Sequence, residues 1–284
     1  MFRTQQKLVR SRQDEMTSRH GIAEFDTSSH SEFVEYYEKE SLNEATRARF
    51  AAVRSRVIRL ARRDDRKTDP LQALDIGCGA GTQCVMWASE GDRVYGIDIN
   101  APLIEIGRKR AEAAKLPIRF DVGSATSLPY ADASMDVCLM PELLEHVPDW
   151  ESCLNEAIRV LRRGGVLYTS TTNFLCPIQQ EFNLPLYSWY PGPAKRYFEK
   201  LAITTRPEIA NYARYPAVNW FSYYGLARYL QQRGMRCFDR FDMIDMESLN
   251  PWKRIIVSSV RHLPPLRLLG QVATSGSIVF AVKQ

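Results

Sequence analysis

The sequence predicts an α/β fold built on a parallel, doubly wound sheet. Three observations carry that prediction. Short apolar runs alternate with stretches of helical period from residue 71 to residue 171. The first run ends in a glycine-rich turn, Gly77-Cys78-Gly79-Ala80-Gly81, placed just ahead of a helical stretch. The second run ends on an acid, Asp98. Strand–helix alternation at this spacing builds parallel strands, and right-handed crossovers place helices on both faces.

The elements follow in order. Residues 71–76 form a short apolar strand and 82–90 a helix. Residues 93–99 are the second strand. Residues 101–115 are the second helix of the alternating part, with Pro102 where proline suits a helix start. Strands follow at 118–122 and 135–140, then a helix at 150–161 and a fifth strand at 166–171. From 174 to 219 the rhythm breaks. This insertion is rich in proline and aromatic residues, among them Phe174, Phe182, Tyr187, Trp189, Tyr190, Tyr197, Phe198, Tyr212 and Tyr215. A long irregular insertion after a core strand reads as a cap over a substrate pocket. Its aromatic rings either meet the substrate or pack only on one another, and both readings stay open. A helix at 220–233 is closed by Gly234, a sixth strand spans 236–244, and a seventh spans 277–282. Ahead of the sheet, residues 1–32 are polar and predicted to be poorly ordered. Residues 33–66 make a helical extension.

Composition bounds the function. The chain has 284 residues, 45% hydrophobic and 25% charged, enough to bury a sizeable core. The net charge of +5 is too weak to imply nucleic acid by itself. Six scattered cysteines form no CxxC pair and no cluster with histidine, which predicts reduced thiols in the cytoplasm. The N-terminus lacks the apolar core of a secretory signal.

The turn at 74–81 carries the first chemistry. Asp75-x-Gly77-x-Gly79-x-Gly81 lets the backbone turn sharply and approach a ligand where a Cβ would collide. The helix that follows offers unpaired N–H groups. Asp98, at the end of the next strand, can accept both hydroxyls of a ribose. A dinucleotide fingerprint would read GxGxxG; here the third glycine comes one residue early and Asp75 precedes the first. That pattern favours S-adenosylmethionine over NAD.

Four segments together resemble a known family: LDIGCGAGTQ (74–83), GIDIN (96–100), SLPYADASMDVCLMPELLEHVPD (127–149) and EAIRVLRRGGVLYTSTTN (156–173). They are similar to the class I S-adenosylmethionine-dependent methyltransferases, with a methyltransferase type 11-like domain, and within them to the branch of ubiquinone-biosynthesis O-methyltransferases. The resemblance covers about residues 70–173, with a weaker echo at 220–245. It implies a Rossmann-like, doubly wound, seven-stranded sheet. On that reading 70–173 is the S-adenosylmethionine-binding core, 174–219 a substrate insertion and 220–284 the rest of the core. It implies that Gly77, Cys78 and Gly79 lie against the amino-acid part of the cofactor, with Gly81 closing the loop. Asp75 would help hold the ammonium through the loop or a water, Asp98 the ribose, and Ile99 would stand beside the adenine. Ser124 and Ala125 would receive the adenine. Many relatives carry an aspartate where Ser124 stands, which makes the side-chain contact less discriminating. Met140 and Pro141 would line the methyl-transfer end.

Glu142, Glu145 and His146 form ExxEH after the fourth strand, at the carboxyl ends where ligands of such sheets sit. On a helix all three would share one face. Three readings compete. The cluster suits Mg²⁺ or another divalent metal, and similar clusters bind metal in the small-RNA 2′-O-methyltransferases. His146 suits general base catalysis. The third reading is purely structural. The resemblance then implies methyl transfer to a small-molecule acceptor, an O-methyltransferase. An RNA or protein methyltransferase, or a catalytically silent binding module, are the alternatives.

The chain has no acidic residue after Glu247, and 251–284 interleaves five Lys or Arg with apolar residues. This basic amphipathic insertion at 250–276 has two readings: peripheral membrane contact through 252–270, or a connection docked on the core. Pro264-Pro265 interrupts any single long helix.

Overall fold

The computed structural model describes residues 43–61, 69–179, 181–210 and 217–284. The expected disorder at 1–32 lies outside these residues, as do Tyr212 and Tyr215. Helix α1 (Glu44–Ala61) is the described part of the helical extension. The alternating core then runs β1 (Gln72–Ile76), α2 (Thr82–Ser89), β2 (Arg93–Asp98), α3 (Ala101–Ala113), β3 (Arg119–Val122), β4 (Met135–Pro141), α4 (Trp150–Val160) and β5 (Leu161–Thr172). After α5 (Gly192–Thr204) come α6 (Tyr223–Gln231), β6 (Met235–Phe238), α7 (Pro251–His262), α8 (Pro264–Val272) and β7 (Gly276–Lys283).

Among the described residues seven strands form one sheet in the order β3-β2-β1-β4-β5-β7-β6. Strands β1 to β5 pair in parallel, as the alternation predicts. The sheet is not parallel throughout: β7 lies antiparallel between β5 and β6. Period two sends successive side chains to opposite layers. Leu74, Ile76, Cys138 and Met140 pack with Leu154 and Ala157 of α4 and Leu226 of α6. Ala73, Val137, Leu139, Val166 and Tyr168 face Val53 and Val57 of α1, Trp87 of α2 and Ile104 of α3. All six cysteines are free thiols.

Three boundaries differ from the expectation by three residues or more, each for a local reason. Strand β5 starts at Leu161, directly after α4, because Leu161 pairs with Met135 across a register irregularity ahead of Val137. Helix α6 starts at Tyr223 because Ser222 caps it, its Oγ accepting from Gly225 N at 3.1 Å. The sixth strand ends at Phe238, not at 244. There Asp239 Oδ1 accepts from the backbone N–H groups of Phe241 (2.8 Å) and Asp242 (3.0 Å), offering the chain a turn in place of the ladder.

Asp239 is fully buried, and its Oδ2 accepts from Arg267 Nε and Gln271 Nε2 of α8, each at 2.8 Å. One carboxylate thus shapes the turn after β6 and fastens α8 to it. Asp239→Ala should lower unfolding free energy by about 3 kcal/mol, because Arg267 and Gln271 lose their buried acceptor. Urea unfolding of the two proteins measures the difference.

Candidate functional site

Four strand ends meet at one edge of the sheet. The loop after β1 folds back on β2: Gly77 N and Cys78 N both donate to Ile97 O, at 2.8 and 3.1 Å. Gly77, Gly79 and Gly81 all take positive φ. At Gly81 (φ +71°) a Cβ would stand 2.7 Å from Phe120 Cζ, so the loop closes onto α3 and β3 only without a side chain. At Gly77 (φ +76°) it would stand 2.9 Å from Leu143 Cδ1, which brings the loop after β4 against the loop after β1. Gly81 provides no side-chain cap for α2. Arg110 of α3 braces the turn, donating to Ala80 O (3.0 Å) and Thr82 Oγ1 (2.9 Å).

Asp98 sits half-exposed at the end of β2. Its Oδ2 accepts from Gly79 N and its Oδ1 from Asn100 N, both at 2.9 Å. These bonds fix the carboxylate at the mouth of the loop. Val122 is its register partner on β3. Val122 and Ile99 are large apolar side chains left exposed beside the acid. Ser124 stands in the following loop, its Oγ sharing a hydrogen bond with Thr126 Oγ1 (2.8 Å), and Ala125 packs half-buried beside it.

Two residues expected at the ligand face inward instead. Asp75 is buried, its oxygens meeting Gln83 Nε2 at 3.3 Å and Cys84 Sγ at 3.5 Å under the loop. Burial raises its pKa from an ordinary 3.8 to about 7, despite the hydrogen bond from Cys84. Asp75 therefore supports the turn from beneath, where any part it plays toward a ligand runs through the loop. Met140 is fully buried in the core, so its side chain packs and does not line the opening.

The ExxEH segment is a series of turns, not a helix, so its three side chains do not share a face. Glu142 takes a left-handed backbone (φ 52°) and pairs with Arg49 Nη1 of α1 at 2.7 Å. Glu145 turns into the protein and accepts from Thr171 Oγ1 at 2.8 Å. His146 is half-buried. The metal reading of Glu142, Glu145 and His146 is corrected accordingly: no group of three His, Cys, Asp or Glu able to hold a metal occurs among the described residues. Burial lifts the Glu145 carboxyl from an ordinary 4.5 to about 8. Glu181 of the insertion, itself raised by burial, adds to that shift. Arg49, Arg110, Thr171 and Glu181 escaped the sequence reading, since each reaches the site from a distant segment.

The insertion carries its own small core. Phe182 stacks on Tyr187 with centroids 4.0 Å apart, and Tyr190, Phe198 and Trp220 pack around them. These rings pack on one another. Behind the insertion, Asn219 Nδ2 donates to Leu144 O (2.9 Å) and Val147 O (2.7 Å), while Val218 N and Asn219 N donate to Glu145 O.

Residues 74–169 match the family model described as "Methyltransferase domain". The matched segment is similar to a methyltransferase domain. Within it lie the glycine loop, Asp98 and ExxEH. The ubiquinone biosynthesis O-methyltransferase of Sinorhizobium medicae is 34% identical over 128 residues, covering 44% of this chain and 52% of that protein. That of Brucella ovis is 32% identical over 169 residues, covering 56% and 65%. The norajmaline N-methyltransferase of Rauvolfia serpentina is 38% identical over 104 residues, 36% of each chain. The chain thus spans from 36% to 65% of the length of these relatives. The crystal structure of the PH0226 protein from Pyrococcus horikoshii OT3 shares the fold, with a TM-score of 0.54 at 14% identity over 88% of this chain and 99% of that one. The architecture around the matched segment is the doubly wound, seven-stranded α/β sheet that the resemblance implies.

The Glu145 shift has a sign that can be measured. Its folded pKa stands above the unfolded value, so the fold binds the extra proton between pH 4.5 and about 8. The contribution to stability is full below pH 4.5 and is lost as pH rises to about 8. Glu145→Gln removes that loss and keeps an acceptor for Thr171. The variant should gain on the wild type by a few kcal/mol, on the order of one per pH unit, between pH 5 and pH 8. Urea unfolding of both proteins at the two pH values gives the comparison.

Proposed function

We propose that this chain transfers a methyl group from S-adenosylmethionine to an oxygen of a small-molecule acceptor. One observation supports the donor above the rest: a carboxylate held by two backbone N–H groups, with exposed Ile99 and Val122 on either side. That pairing of acid and apolar surfaces suits a ribose diol joined to a flat base. The Gly77–Gly81 turn leaves room for close approach, and the first turn of α2 has no side-chain cap of its own.

When bound, S-adenosylmethionine supplies an electrophilic methyl on a sulfonium. The chain's own residues then have three tasks. Asp98, Ile99 and Ser124 hold the nucleoside end. The turn braced by Arg110 and the loop of Glu142 and His146 border the methyl end and limit the entry of water. His146 takes the acceptor's proton as the hydroxyl attacks. Glu145 is protonated at neutral pH, so it positions the loop through Thr171 and leaves the base role to His146. The insertion 174–219 is the acceptor-facing element on this reading. Support for oxygen comes from the O-methyltransferase names of the Sinorhizobium and Brucella relatives.

A second reading, a nitrogen acceptor, draws on the name of the Rauvolfia N-methyltransferase.

Calorimetry with S-adenosylhomocysteine tests the donor. Asp98→Asn should weaken binding at least tenfold, and unchanged affinity would overturn the assignment. Methyl transfer from labelled S-adenosylmethionine to phenols and to amines separates the two acceptors. With the accepted substrate, His146→Gln should lower kcat about a hundredfold or more and remove the acidic limb of the pH profile. A retained acidic limb assigns the proton to another group.

A further inference from the structure

Helices α7 and α8 turn their polar sides inward. Arg261 of α7 points at the core, donating through Nε to Phe241 O (2.9 Å) and through Nη2 to Ile244 O (2.7 Å). Arg267 and Gln271 of α8 point the same way, onto Asp239. The apolar side chains are left outside. No residue of α7 is buried; Trp252 is 63% exposed and Ile255 68%, and on α8 Leu269 is 62% exposed. Ile256, Leu263, Leu266 and Leu268 extend the same stripe. A run of large apolar side chains facing water over two consecutive helices marks an interaction surface.

We propose that this face docks on the surface of an anionic lipid bilayer. Charge decides between the occupants such a stripe could have. From residue 248 to residue 284 there is no Asp or Glu, against five Lys or Arg. Arg261 and Arg267 are spent on internal partners, but Lys253 and Arg254 stand exposed in the first turn of α7, beside Trp252. A second copy meeting this face would bring Lys253 and Arg254 of one against those of the other, with no carboxylate on either helix to offset them. Anionic headgroups supply the missing charge, and an indole among cations suits the boundary between headgroup and acyl chain. The helices lie on the bilayer and do not cross it. At 12 and 9 residues they measure about 18 and 14 Å, against the roughly 30 Å of a hydrocarbon core. No helix among the described residues is long and apolar enough to span.

Flotation of the full chain with vesicles tests the proposal. The protein should float with equal parts phosphatidylcholine and phosphatidylserine, stay behind with phosphatidylcholine alone, and be released by salt. Ile255→Glu with Leu269→Glu should reduce partitioning more than tenfold. Lys253→Gln and Arg254→Gln should each reduce it about fivefold. All four sites are exposed, so thermal melting should stay unchanged. The lysine and arginine variants carry the test if the apolar pair disturbs folding. Absence of flotation, equal flotation with both vesicle types, or variants that float like the wild type would each overturn it. So would dimerisation in ultracentrifugation that the Glu variants abolish while no vesicle binding is seen, which would assign the face to a second copy.

Discussion

Phe120 fills a space that three other segments leave by having no side chain. A Cβ at Gly81 would stand 2.7 Å from its ring, one at Gly96 2.8 Å, and one at Gly107 3.1 Å. The cofactor-side turn, the middle of β2 and the body of α3 thus converge on one aromatic ring. Their separation is set by van der Waals contact, with little slack at interior packing density. Most other features of the donor side follow from this. With the turn seated, Gly79 N reaches Asp98, and Arg110 lies within reach of Ala80 O and Thr82. The carboxylate at the mouth owes its orientation to backbone that the ring holds in place.

Two carboxyls below the surface hold their protons to higher pH than an exposed carboxyl does. Asp75 under the donor turn and Glu145 under the acceptor loop both have burial as the largest cause of their raised pKa. Each is answered by short-range hydrogen bonding, from Gln83 and Cys84 in one case and Thr171 in the other. Both brace their loops from beneath through these side-chain bonds. The charge that does face outward is on Asp98 and on Glu142, and Arg49 holds the latter.

Much of the fold was legible because the core strands are apolar runs bounded by glycine and charge. The limits of β2 and β3 fall within a residue of the pattern. Strand six was overread because its apolar alternation continues past Phe238, and only the Asp239 side chain, bonding to Phe241 N and Asp242 N, ends it. Such a local competitor leaves no mark on periodicity. The donor site was partly legible: Asp98 stands where the motif puts it, whereas Asp75 and Met140 turn inward. Sequence spacing places a residue on a strand end but does not say which layer its side chain joins when neighbours close over it. For ExxEH the shared face was conditional on a helix, and Glu142 takes a left-handed backbone instead. Helices α7 and α8 show the converse. Their amphipathic pattern tells which residues share a face, yet only tertiary contacts reveal that the polar face is the inner one.

The segment leaving the insertion is stitched to the loop after β4 by Asn219 and by the backbone of Val218. These bonds run to backbone carbonyls, so they are indifferent to which side chains the loop carries. The anchor therefore does not draw on residues 181–210. The stitch fixes the loop's geometry independently of the rings that pack on one another beyond it.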